Sequence, residues 1–140
     1  MRHHTIPRIV TKLLIPLILL FGLYVQFHGD FSAGGGFQAG VIFAAGFILY
    51  NIIFGLDIGK SILSVNTSKY LMALGVILYL MVGFLGILLG GNFLEYNYLS
   101  NTPINGQLLG IFLVELGVGL TVSNVMVLVF YSFNDISEEK

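Results

Sequence analysis

Residues 70–89 read YLMALGVILYLMVGFLGILL, twenty positions without one charged side chain. At 1.5 Å per residue this run makes a helix about 30 Å long, the thickness of a bilayer's hydrocarbon core. A barrel strand would need strict alternation of apolar and polar positions, and none is present. Three further runs have the same character: Leu13–Phe27, Phe37–Phe54 and Leu108–Phe133. The first is short for a span, so it is expected to begin near Ile9, with Lys12 reaching back to the interface and Pro16 inside it. The sequence therefore predicts an all-α integral membrane protein with four transmembrane helices, at about 9–27, 37–54, 70–89 and 108–133.

Composition agrees with that prediction. Of 140 residues, 56% are hydrophobic and 9% charged, and mean hydropathy is +0.94. A soluble chain this short could not bury so much apolar surface. The formal charge of −1 offers no basic face to nucleic acid. Absence of cysteine excludes disulfides, thiolate metal ligands and a Cys nucleophile. No repeat, linker or soluble stretch interrupts the pattern, so residues 1–140 are expected to form a single membrane domain.

Arg2, Arg8, Lys12, Lys60, Lys69 and Lys140 all fall on one side of the four-span arrangement, while the other side holds Asp30 and Glu95. Basic residues are retained in the cytoplasm, so both termini are expected inside: N-in/C-in. Tyr50, Tyr70 and Tyr131 then fall at the inner interface and Tyr24, Tyr96 and Tyr98 near the outer one, the pattern of aromatic belts. The basic start also has the form of a signal peptide, with Ser32-Ala33-Gly34 as a small-residue cleavage site. Cleavage would leave three spans and destroy the sidedness, so the first run is taken as a retained helix.

Between the first two spans lies H-G-D-F-S-A-G-G-G-F-Q-A-G, His28 to Gly40. A glycine triplet costs conformational entropy and contributes no side chain, so something there requires bare backbone. With Ala39 it formally fits G-x-G-x-x-A, but no strand precedes it and no ribose-binding acid follows. The alternative is a sharp turn that lets another helix or subunit approach. His28 beside Asp30 is a pair able to pass protons near neutral pH, or simply two polar residues ending a helix. Glu115 sits about 12 Å inside the fourth span. An acid at a helix centre costs about 2.5–3.5 kcal/mol, so Glu115 is expected to be partnered, protonated or facing a wet cavity. It is a candidate proton relay, or else helix glue. No intramembrane basic residue is at hand to neutralise it, which is a reason to expect neighbouring subunits.

Gly36–Gly40, Gly86–Gly90 and Gly106–Gly110 have the small-xxx-small spacing of close helix contacts. Asn124 lies opposite Glu115 around the helix and is expected to bond to another helix, and Thr102-Pro103 reads as a helix start. No nucleophile–base set, phosphate loop or metal cluster is visible, and His3-His4 lacks a third ligand. The chain is expected to be a non-enzyme, with no cofactor, no metal and no nucleic-acid partner.

Two blocks carry a family resemblance. In Phe27–Tyr50, H-G is followed shortly by G-G-G-F-Q-A-G, and in Gly110–Val122 G-I-F-L-V-E-L-G-V-G-L-T-V places an acid in a glycine-rich span. Over nearly its whole length the chain resembles the B subunit (MnhB/MrpB) of Mrp-type multisubunit sodium/proton antiporters. One departure is Ala33, where that family usually has proline before the glycines. The resemblance implies a small multi-pass subunit of a hetero-oligomer in the cell's inner (plasma) membrane, whose large partner subunits hold the main channels for protons and Na+ or another monovalent cation. It makes Glu115, His28 and Asp30 the proton/ion pathway candidates, and Gly34, Gly35, Gly36, Phe37 and Gly40 the structural motif. Related modules occur in membrane-bound hydrogenases, so a redox-driven ion pump is an alternative, as is a purely structural subunit. A self-contained four-span multidrug exporter fits less well, because that family carries its carboxylate in the first span and this first span has none.

Overall fold

The computed structural model describes residues 5–29 and 35–138. Asp30, Ser32, Ala33 and Gly34 of the glycine stretch lie outside the described residues, as do Arg2, His3, His4 and Lys140. Four helices are long and apolar enough to cross a membrane: α1 (Thr5–Phe27), α2 (Gly36–Phe54), α4 (Val65–Leu88) and α5 (Pro103–Glu138), whose candidate span is Pro103–Asp135. A short α3 (Leu56–Ile62) and a 3-10 turn at Tyr96–Leu99 connect them.

α1, α4 and α5 begin four to five residues before the starts that hydropathy predicts, because the polar residues ahead of those apolar runs are helical too. The Oγ of Ser64 accepts from the Thr67 amide at 3.1 Å and starts α4 five residues before Tyr70. Pro103 is the first residue of α5, as its fixed φ and missing N–H favour. α3 was not anticipated. Gly55, at φ 105°, lets the chain turn out of α2, and Asp57 in the first turn with Lys60 in the last complements the dipole of the short helix.

The spans do not pack in chain order. α1 lies on α2, α2 on α5 and α5 on α4, while α1 barely touches α5. α5 is thus the central element, and its glycines serve both neighbours. Gly117 faces the Gly75 carbonyl and Tyr79 of α4, whereas Gly119 faces the Gly36 carbonyl of α2 and Gln26 of α1. Toward the far end of the bundle Ala44, Val127 and Tyr131 form a small core with Phe47, Ile48, Leu56 and Leu63 around it.

Three expectations are corrected. Tyr131 is not a belt residue: it is 1% exposed and donates its hydroxyl to the Leu63 carbonyl at 2.9 Å. Gly86–Gly90 is not a helix seam, since α4 ends at Leu88 and Gly90, at φ 98°, belongs to the turn beyond it. Asn124 donates to the Leu120 carbonyl of its own helix at 2.8 Å instead of to another helix, the back-bonding open to a short amide in a helix interior.

Candidate functional site

α1 ends and α2 begins beside the middle of α5's outer half, and Glu115 lies between them. The close fit follows from missing side chains. A Cβ placed on Gly29 would lie 2.9 Å from Oε1 and 3.0 Å from Oε2 of Glu115, and one on Gly35 would lie 3.0 Å from Oε1. One on Gly36 would collide with the Glu115 main-chain carbonyl. One turn further on, a Cβ on Gly40 would stand 2.7 Å from the Gly119 carbonyl oxygen. Carbon–oxygen approaches this short are not tolerated by packed side chains, so α2 and α5 meet backbone to backbone over one helical turn. Gly35 also has φ 125°, a conformation that L side chains rarely adopt.

The carboxyl group of Glu115 therefore sits in a cradle of bare main chain, at the N-terminus of α2, where the helix dipole is positive and the first amides lack intrahelical acceptors. Glu115 is half-buried and engaged within the chain. This revises the expectation of a shortage of internal partners for Glu115.

Gln26, 7% exposed, adds a second buried polar group. Its Oε1 would be 2.7 Å from a Cβ on Gly119, and its Nε2 has no hydrogen-bond partner among the described residues. Beside it an apolar cavity of about 400 Å³ opens between α1, α2 and α5, floored by Ala44, Gly119 and Ser123. Phe27 stacks on Phe112 at 5.9 Å, pinning the end of α1 to α5.

The other expected site residues are placed differently. His28 is exposed, with its ring stacked on Tyr24 at 4.2 Å and its Nδ1 3.1 Å from the Tyr24 carbonyl. If that nitrogen is the donor, Nε2 is the acceptor of the neutral ring. Asp30 and Gly34 lie outside the described residues. Phe37, 55% exposed, faces outward and takes no part in the α2–α5 seam that its neighbours Gly36 and Gly40 form. Among the described residues no three His, Cys, Asp or Glu side chains converge as a metal site. Gln26, Gly29 and Gly119 are not among the expected pathway or motif residues, yet they line the surroundings of Glu115. Their signal is a glycine one turn beyond Glu115, a glycine directly after His28, and a lone amide near the end of α1.

Comparison with known proteins gives a consistent set of relatives. Residues 6–128 match the family described as a domain related to the MnhB subunit of Na+/H+ antiporter. A protein of Staphylococcus haemolyticus (strain JCSC1435), named "Putative antiporter subunit mnhB2", is 35% identical over 133 residues, covering 91% of this chain and 92% of its own. Its namesake in Staphylococcus aureus (strain Newman) is 35% identical over 130 residues with the same coverage.

Proposed function

This chain belongs to the family of domains related to the MnhB subunit of Na+/H+ antiporters, and on that premise we propose that it is a non-enzymatic membrane subunit of a multisubunit Na+/H+ antiporter in the plasma membrane. It forms one membrane domain with both termini in the cytoplasm. Arg8, over the Phe54 ring at 5.3 Å, and Lys60, paired with Asp135 at 2.8 Å, gather at the same end of the bundle, which supports that orientation.

Within the complex, Glu115 handles protons on an ion pathway, with His28 and Asp30 toward its outer mouth. The observation that carries this is the convergence of the two sequence blocks. The acid of the fourth span is held against the glycine turn between the first two, in close contact with the main chain of Gly29, Gly35 and Gly36. An intramembrane carboxyl held in a defined place is a group able to accept and release a proton. A second reading, a purely structural subunit, draws on the same seam, because Gly36 against the Glu115 carbonyl is also what helix packing alone would demand.

Two substitutions separate the readings. Glu115→Gln preserves shape and hydrogen bonding but not titration, whereas Glu115→Asp keeps the acid and retracts it by one methylene. With assembly verified by native electrophoresis, cation-driven proton flux in vesicles is expected to vanish in the Gln variant and to persist in part, with a shifted pH optimum, in the Asp variant. Full flux in an assembled Gln variant sinks the relay and leaves the structural subunit.

A further inference from the structure

Glu115, Gly119 and Ser123 follow one another on α5 at four-residue spacing, so they stand in one row about 6 Å apart. Gly119 leaves a gap in that row, and Gln26 of α1 fills it. A Cβ at position 119 would lie 2.7 Å from Gln26 Oε1, so α5 gives up a side chain to admit the amide. The row therefore reads carboxyl, amide, hydroxyl over about 12 Å inward from Glu115.

The amide gains no bond within the chain by sitting there. Gln26 is 7% exposed, and its Nε2 has no hydrogen-bond partner among the described residues. A buried amide without a partner destabilises a fold, and hydrocarbon offers it no relief. Water does, provided that further polar groups are near enough to hold it.

The cavity beside Gln26 supplies those groups. Its volume of about 400 Å³ is far more than a single water requires, and Gln26, Ser123 and Asn124 all line it. Ser123 Oγ donates to the Leu120 carbonyl at 3.1 Å, and its lone pairs give it acceptor capacity toward a water. Along α5 the cavity reaches from Leu116, the residue after Glu115, to Val127, about 16 Å. Leu63, which joins α3 to α4, lines it too and packs on the core of Val127 and Tyr131. Only three residues before Leu63, Lys60 meets Asp135 at the solvated rim.

We propose that this cavity is the inner access path of Glu115: water held by Gln26, Ser123 and Asn124 carries protons between the carboxyl and the end of the bundle that bears Lys60 and Asp135. Gln26 is a positioning residue on that path. Its amide does not titrate, but it donates and accepts at once, and the broad torsion at its tip lets either atom face the water. The inference rests on the reading of Glu115 as a proton-handling group and adds the side from which protons reach it.

The test uses the assembled complex in inside-out vesicles. Because the chain has no cysteine, Ser123→Cys places a single thiol in it at the cavity. Leu74→Cys is the control, 55% exposed on α4 and next to Gly75, which meets Thr121 of α5. A charged methanethiosulfonate reagent reads water access, since it reacts with the thiolate, and the product is followed by the mass of the subunit. The thiol at 123 is expected to react at least about tenfold faster than the one at 74. In Gln26→Leu the thermal midpoint is expected to hold or rise, because the unpartnered amide is gone. Cation-driven proton flux should nevertheless fall by about an order of magnitude with a shifted pH optimum, and Gln26→Asn should keep part of it.

Equal or slower reaction at 123 means that lipid or a partner's helix fills the cavity, and overturns the path. Full flux in an assembled Gln26→Leu complex overturns it as well. The thiol measurement is made with Gln26 in place, so it stands whether or not the Leu variant assembles. Fast reaction at 123 together with full flux in Glu115→Gln leaves a water-filled cavity but removes the proton reading of Glu115, and the path with it.

Discussion

The two ends of this bundle treat charge in opposite ways. At the end near Phe54, Lys60 meets Asp135 at 2.8 Å with the two side chains 34% and 56% exposed, and the same ammonium lies 5.6 Å from the Tyr131 ring. At the level of the glycine turn, Glu115 packs against the bare main chain of Gly29, Gly35 and Gly36. The first pair is wet, costs little to form and stabilises little. The second is a single acid within a spanning helix, and its surroundings had to be stripped of side chains to admit it. The contrast is between charge met by solvent at the rim and a carboxyl packed against bare backbone at depth.

Three substitutions sharpen that contrast, beginning with the largest effect. Gly36→Ala places a methyl group on the Glu115 carbonyl, where backbone faces backbone and neither strand of the seam can yield cheaply. The loss is expected at or above the upper end of the usual overpacking range of about 1–3 kcal/mol. It should appear as a marked fall in thermal stability, with little assembled complex on native gels. An unchanged melting temperature breaks the claim that bare main chain is required.

Tyr131→Phe probes the opposite end. It removes the hydrogen bond to the Leu63 carbonyl but keeps the ring in the core with Ala44 and Val127. A loss of about 1 kcal/mol is expected, read as a lowered unfolding midpoint in detergent with flux retained. Lys60→Ala should matter least, within about 0.2–1 kcal/mol, and what effect it has should fade as salt is raised. If Lys60→Ala proved as damaging as Gly36→Ala, the two ends would not differ in kind.

Sequence and tertiary structure divided the work along a physical line. Hydropathy is a local sum, so residues 70–89 announce a span without reference to any neighbour, and the same holds for the other three. Local capping chemistry is legible for the same reason, as Thr102-Pro103 shows at the start of α5. The sequence also marked Glu115 and the glycine turn as separate oddities, each costly enough to need a cause. What it did not contain was their meeting. In a membrane, lipid and protein are equally apolar to a leucine, so the pattern of hydrophobic residues does not say which face of a helix is buried or which helices are neighbours. Only packing decided that α5 stands between α2 and α4, that Gly119 serves one seam and Gly117 the other, and that Tyr131 turns inward to Leu63. Packing likewise set the start of α2 level with Glu115, where Gly36 meets the Glu115 carbonyl and, one turn on, Gly40 meets that of Gly119.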